Sequence, residues 1–205
     1  MVRSTPIRPP SAPLSDGVVV LRLRRVSDLG AIAAASHDPE TRRWLDDTPM
    51  DEEARSTSMA RVEEAWRSGR AAPLVIADAV TDEPVGIVNL QFRDDDVATV
   101  AYSVFPAGRG HGIAPRAVRL LAEWALRDLG LTRLLLEANE ANTASLRVAE
   151  KCRFERIGSR TPPGTGGGHD TTIIFAREVR RTRRTPDSDV ALPGDSADPP
   201  GAGTC

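Results

Sequence analysis

Apolar residues recur along this chain at two spacings, and the switch from one to the other marks out its elements. From Gly17 to Arg24 they alternate, at Val19, Leu21 and Leu23, which predicts a strand. A helix is predicted from Ser27 or Asp28, either of which can cap it, to about His37, with Leu29, Ile32, Ala33 and Ser36 on one side. Asp38-Pro39 opens a short helix holding Trp44 and Leu45, and a polar break runs from Asp46 to Asp51. Met59, Val62 and Trp66 mark one face of a helix over Glu52–Arg67, which Gly69 ends. Strands are predicted over Pro73–Ala79 and Val85–Phe92, joined by the turn Thr81-Asp82-Glu83-Pro84. After a turn at Arg93–Asp96, a third strand at Val97–Val104 carries β-branched and aromatic residues, Val97, Thr99, Val100, Tyr102 and Val104.

The next stretch organises the chain. Pro106 and Gly108 break the strand, and Arg109-Gly110-His111-Gly112 leads into a helix with Ala114, Ala117, Val118, Leu121, Trp124 and Ala125 on one face. Glycines before a helix free its first amides to close around an anion, and the helix dipole favours negative charge there. A nearly all-apolar strand, Arg133–Ala138, follows, then a helix over Asn142–Cys152, a strand from Phe154 and a last strand at Thr171–Arg177. Thr161–His169 reads as a flexible loop. The order β-α-α-α-β-β-β-α-β-α-β-β predicts an α/β domain with a mixed sheet.

Composition narrows the picture. With 205 residues, 40% hydrophobic and 27% charged, the chain suits one globular domain with tails. We expect a disordered Pro-rich leader at 1–16, a domain over 17–179, and a disordered tail at 180–205. A net charge of -2 supplies no basic field for nucleic acid or membrane, and no apolar run is long enough to span a bilayer. Cys152 and Cys205 form no disulfide framework, which favours a reducing, cytoplasmic setting. The basic cluster from Arg177 to Arg184 and the Asp94-Asp95-Asp96 turn read as solvated surface.

The chemistry starts from the glycines. GxxxxGK[ST] is absent, and Gly108-x-Gly110-x-Gly112 falls too late in the chain for a dinucleotide fingerprint. Alone, Gly110 and Gly112 could be merely a turn and a helix start. Together with other stretches they are more specific. Arg109-Gly110-His111-Gly112-Ile113-Ala114 fits [RQ]xxGx[GA], Asn142-Thr143-Ala144-Ser145 is followed by Glu150-Lys151-Cys152-Arg153-Phe154, and Ala101–Pro106 ends a strand. This set resembles the GNAT superfamily of acyl-CoA N-acyltransferases, nearest to the RimJ/RimL-like ribosomal-protein alanine acetyltransferases.

The resemblance implies a central mixed, mostly antiparallel sheet, helices on both faces and a splayed strand pair that holds acyl-CoA. It implies that acetyl passes from acetyl-CoA to a primary amine, a peptide N-terminus or a small molecule, by direct attack without a metal. Arg109, Gly110, His111, Gly112, Ile113 and Ala114 would hold the pyrophosphate; Tyr102, Ser103 and Val104 would pair through their backbone with pantetheine; Asn142 and Ser145 would lie near the thiol. Ser145 would protonate the leaving thiolate, or be only a first-turn serine, and Asn142 can also cap the helix, a role compatible with the first. Thr99 stands where the branch commonly has an acid, so the base is unassigned. Pro115, Arg116 and Arg153 also depart from the pattern. Asn89 faces either an acceptor pocket or solvent, Trp44 and Trp66 line the core or the acceptor cleft, and His111 reads as a solvent-facing loop residue. A homodimer is compatible with exposed strand edges. The alternatives are acetylation of an antibiotic or polyamine on the same fold, and a degenerate acyl-CoA-binding or regulatory module without turnover.

Overall fold

Alternation along the chain builds an eight-stranded sheet in a computed structural model that describes residues 5–45, 48–161 and 171–179. The elements are β1 (Leu14–Ser15), β2 (Val19–Arg22), α1 (Leu29–Ser36), α2 (Pro39–Trp44), α3 (Glu52–Ser68), β3 (Ala71–Asp78), β4 (Pro84–Phe92), β5 (Val97–Val104), α4 (Ile113–Arg127), β6 (Arg133–Asn139), α5 (Thr143–Lys151), β7 (Glu155–Arg160) and β8 (Thr172–Glu178). Sheet order is β1-β2-β3-β4-β5-β6-β8-β7, and among the described residues only β5 and β6 run parallel. The tail at 180–205 and most of the loop after Thr161 lie outside the described residues.

The two faces of the sheet have different partners. Leu21, Leu74, Ile76, Leu90, Val100 and Leu136 are buried together with Ala117, Val118, Leu121, Ala122 and Ala125 of α4. Removing Leu121 from water stabilises by about 1.5–3 kcal/mol, and the apolar stripe predicted for this helix is the one buried. On the other face Val75 and Ala77 meet Ile32 and Ala35 of α1 and Phe105. Trp66 belongs to the core and packs on Trp124, with ring centroids 6.2 Å apart.

The domain starts upstream of the expected boundary at residue 17. Leu14 and Ser15 pair with β2, Ile7 is 5% exposed, and its N–H donates to the Trp66 carbonyl at 3.0 Å. The tethered part of the expected leader therefore packs on the fold, held by contacts from distant residues.

A buried ion pair fixes the entry to α1. Arg22 Nη1 and Nη2 donate to Asp28 Oδ2 and Oδ1, each at 2.9 Å, and Arg22 Nε donates to Asp82 Oδ1 at 2.6 Å. The Arg25 amide also donates to Asp28 Oδ2 at 2.7 Å, and the Arg25 guanidinium pairs with Asp82. Burial pushes Asp28 up, but the bonds from Arg22 and the Arg25 amide outweigh it and hold the carboxyl below its usual range.

The feature that positions the site is where β5 and β6 part. Their register runs from Val97↔Arg133 to Val100↔Leu136 and stops. Beyond it Ala101–Val104 pair only with β4, and Glu137–Asn139 only with β8. On the side of the gap neither segment has a strand partner among the described residues.

Candidate active site

The gap between β5 and β6 opens a cavity of about 800 Å³, bounded by Val100–Val104, Leu136–Asn139, the loop before α4 and the start of α5. The loop is built by its glycines. Gly110 and Gly112 have φ of 80° and 73°, left-handed values that favour glycine, and a Cβ on either would enter open space. Gly112 is the N-cap of α4 and brings no capping side chain, and the first turn holds no acid. The amides from Gly110 to Ala114 find no hydrogen-bond partner among the described residues. Unpaired donors at the positive end of a 15-residue helix form an anion cradle facing this cavity.

The other loop side chains do different work. Arg109 Nη2 donates to Asp38 Oδ2 at 2.6 Å and Thr41 Oγ1 at 2.9 Å, and its Nε donates to the Val104 carbonyl at 3.3 Å. The residue ties α2 to the end of β5, and its charge beside Asp38 holds that carboxyl below its usual range. The His111 side chain is exposed and does not border the cavity, while Ile113 and Ala114 do. Arg116 pairs with Asp16 at 2.7 Å.

At the inner end, Asn142 caps α5, its Oδ1 accepting from the Ser145 amide at 3.0 Å. Ser145 Oγ lies 2.9 Å from the Tyr102 hydroxyl. Burial pushes the Tyr102 phenol up to about 12, against the opposing Ser145 hydrogen bond, so it stays protonated. This side-chain pairing is absent from the sequence reading, which gave Tyr102 only a backbone role. The signal was available, because alternation puts Tyr102 on the face of Val100, the side where α5 packs. Cys152 lies outside the cavity lining, its Sγ donating to the Pro115 carbonyl at 3.3 Å, and burial pushes its thiol up. A buried, protonated thiol is no nucleophile. Arg153 takes the left-handed turn after α5, with φ 61°, where the family pattern has glycine.

A second cavity of about 500 Å³ lies under α1 and α3 and shares Thr41, Leu45 and Ser103 with the first. Asn89 lines it from β4, and its Oδ1 is buried without a partner. Of the two placements open for Asn89, the solvent-facing one is not the one seen: the side chain lines this cavity. Trp44 borders the first cavity and donates to Glu40 Oε1 at 2.7 Å. Thr99 is buried, its hydroxyl accepting from Arg93 Nε at 2.9 Å. Among the described lining residues every carboxylate is engaged: Glu40 by Trp44, Glu137 by Arg160 at 3.1 Å, Asp51 by the Ala54 amide at 2.7 Å.

A strand pair that opens beside a glycine-built loop is what the motif resemblance implied, and comparison with known proteins decides the family. The model of the acetyltransferase (GNAT) domain matches residues 19–155. The chain belongs to the GNAT acetyltransferase family. Among GNAT relatives, the uncharacterized N-acetyltransferase p20 of Bacillus licheniformis is 23% identical over 143 residues, which span 68% of this chain and 80% of that one. The N-acetyltransferase 9-like protein of Caenorhabditis briggsae is 34% identical over 86 residues, 38% of this chain and 43% of its own. The ribosomal-protein-S5-alanine acetyltransferase of Vibrio fischeri shares the fold at a TM-score of 0.70 and 19% identity, over 82% of this chain and 97% of that one. RimL, a ribosomal alpha-N-protein acetyltransferase solved with coenzyme A, shares it at 0.68 and 20% identity, over 82% and 97%. This GNAT protein is an acetyl-CoA-dependent N-acetyltransferase that transfers acetyl to an amine.

Proposed function

We propose that acetyl-CoA lies along the splay between β5 and β6, and that a primary amine meets its thioester from the second cavity. The observation that carries this reading is that an anion cradle and a buried, unpaired acceptor atom belong to two cavities that meet at Ser103. The amides from Gly110 to Ala114 hold the pyrophosphate. The backbone of Tyr102, Ser103 and Val104, which has no strand partner on the side of the gap among the described residues, supplies the edge for the pantetheine amides. Arg109 braces the loop, and Asn142 sets the first turn of α5, which carries Ser145. Asn89 Oδ1 receives an N–H of the incoming amine.

Direct transfer needs no enzyme nucleophile. The amine, neutral when it attacks, forms the C–N bond as the C–S bond breaks. Its surplus proton leaves to solvent; each lining carboxylate among the described residues already accepts a hydrogen bond. The departing thiolate takes a proton from Ser145, which the Tyr102 hydroxyl holds in place at 2.9 Å, and Ser145 recovers a proton from the solvent that received the amine's. The motif spelling supports the RimJ/RimL-like branch. The buried free thiol of Cys152 supports a reducing, cytoplasmic setting.

Ser145→Ala tests this arrangement. We expect kcat to fall about 100-fold, the usual scale for a lost general acid, with Kd for acetyl-CoA within about twofold. Tyr102→Phe should give a smaller loss of kcat, about tenfold, because Ser145 remains. Steady-state thiol release and calorimetry on the same preparations check both. A wild-type kcat in Ser145→Ala would leave that residue a first-turn serine and nothing more.

A further inference from the structure

The second cavity is lined by a cation, Arg24, that feels Asp28 only through space and has no ion-pair partner among the described residues. Arg22, Arg24 and Arg25 stand almost side by side, yet the acids within reach are spent on two of them. Asp28 is taken by both terminal nitrogens of Arg22 and by the Arg25 amide, and Asp82 by Arg22 and Arg25. Arg24 forms no ion pair among the described residues. Its Nη1 donates to the buried Ser58 hydroxyl at 2.7 Å, and its Nε is buried without a partner. Arg24 stands between the second cavity and a smaller one near Pro10–Pro13, but Ser58 borders only the second, so the guanidinium head is turned that way.

Leaving a buried guanidinium nitrogen unsatisfied is costly, and the charge makes it more so. The cost is removed when a ligand supplies the missing oxygen. Arg61 of α3 lines the same cavity, and Asn89 presents the complementary atom there, an unpaired acceptor suited to an amine. The cavity thus offers a cationic fork and an amine acceptor to one small molecule or chain end. A planar fork matches a carboxylate or phosphate, which take two parallel hydrogen bonds.

We infer that the acceptor is an anionic amine: a primary amine on the same molecule as a carboxylate or phosphate, whose anionic group is bound by Arg24. This rests on the amine entering by the second cavity, as proposed above. It disfavours polyamines, whose second positive charge would meet Arg24, Arg42 and Arg61 against one lining carboxylate among the described residues, Asp51, which already accepts from the Ala54 amide.

The test is a matched panel of acceptors at saturating acetyl-CoA, read as thiol release. Each ω-amino acid from glycine to ε-aminocaproate is compared with its own amide, phosphoethanolamine with ethanolamine, and spermidine is included. We expect at least one anionic member to exceed its neutral partner by about tenfold or more in kcat/KM, the scale of one charge-assisted hydrogen bond. The amino acid and phosphoethanolamine arms tell carboxylate from phosphate. In Arg24→Gln the ratio should fall to near one with acetyl-CoA affinity retained, and Arg24→Lys should keep part of it. Ratios near one across the wild-type panel, a preference for spermidine, or an unchanged ratio in Arg24→Gln would each overturn the inference. If Arg24→Gln does not fold, the wild-type and Arg24→Lys ratios decide. The same pairs are also titrated into protein saturated with coenzyme A. An anion preference in Kd without any turnover would uphold the cavity's selectivity and sink the transfer reading. Turnover without anion preference would do the reverse.

Discussion

Replacing Gly112 by aspartate is expected to abolish measurable acetyl-CoA binding while the domain stays folded. Two local effects on stability oppose each other. The left-handed backbone, with φ 73°, costs a non-glycine residue about 1–2 kcal/mol, less for Asp than for most. A carboxylate at the start of α4 returns about 0.3–1 kcal/mol through the helix dipole and can cap an open amide. The net change is about 1 kcal/mol or less, so Tm should move by only about 2–4 °C. Binding has no such compensation. The new Cβ enters open space at the cradle, where the pyrophosphate would sit, and brings a negative charge against it. We expect Kd to rise by about 100-fold or more, equivalent to at least about 2.7 kcal/mol. Calorimetry and a melting curve on one preparation separate the effects. A folded variant that binds acetyl-CoA within about threefold of wild type would remove this loop from the site.

Asp28→Asn should cause the largest loss of stability. Asp28 is 1% exposed and Arg22 6%, so the variant strands a buried guanidinium whose other carboxylate, Asp82, is about half exposed. Breaking such a pair costs about 3–5 kcal/mol, which lowers Tm by about 10 °C in a domain of this size. The pH dependence has a definite sign. The Asp28 carboxyl lies lower in the folded protein than its unfolded value of about 3.9. Its contribution is therefore complete above that value and is lost as the pH falls through the folded value. Wild type should lose this stability in acid, and Asp28→Asn, having none of it, should show a flatter acid limb in denaturant melts. The clamp also holds the start of α1, whose Ile32 and Ser36 line the second cavity. We thus expect KM for the acceptor to rise more than Kd for acetyl-CoA. Equal stability at neutral pH would show that the pair does not hold β2 to α1.

Most of the elements were legible because their patterns are local. Val97–Val104 is the same strand in both readings, and the α4 stripe that begins near Ala114 is buried as its spacing required. The glycine turn into α4 was legible too, since glycine spacing before an amphipathic helix is a property of one short stretch. What sequence could not carry was anything decided by a distant partner. Leu14-Ser15 is too short to show alternation, and Ile7 sits near prolines, so both read as part of a disordered leader until Trp66 and β2 are in place. Alternation says which face Tyr102 lies on but not that β6 leaves β5 after Val100, nor that Ser145 waits there. Arg24 is the sharpest case. Among neighbouring arginines its isolation depends on which of them takes Asp28 and Asp82, and only the folded chain shows it.

The most direct test of acetyl transfer from acetyl-CoA to an amine is an initial-rate experiment with the full chain, varying acetyl-CoA and acceptor together. Thiol release and the acetylated amine, identified by mass, are followed side by side, with peptides, aminoglycosides, polyamines and anionic amines as acceptors. Direct attack predicts that thiol and acetylated product appear in equal amounts, that release depends on both substrates, and that the reciprocal plots intersect. Thiol release that no amine raises above the acceptor-free rate would contradict the transfer, and parallel plots would contradict its direct course.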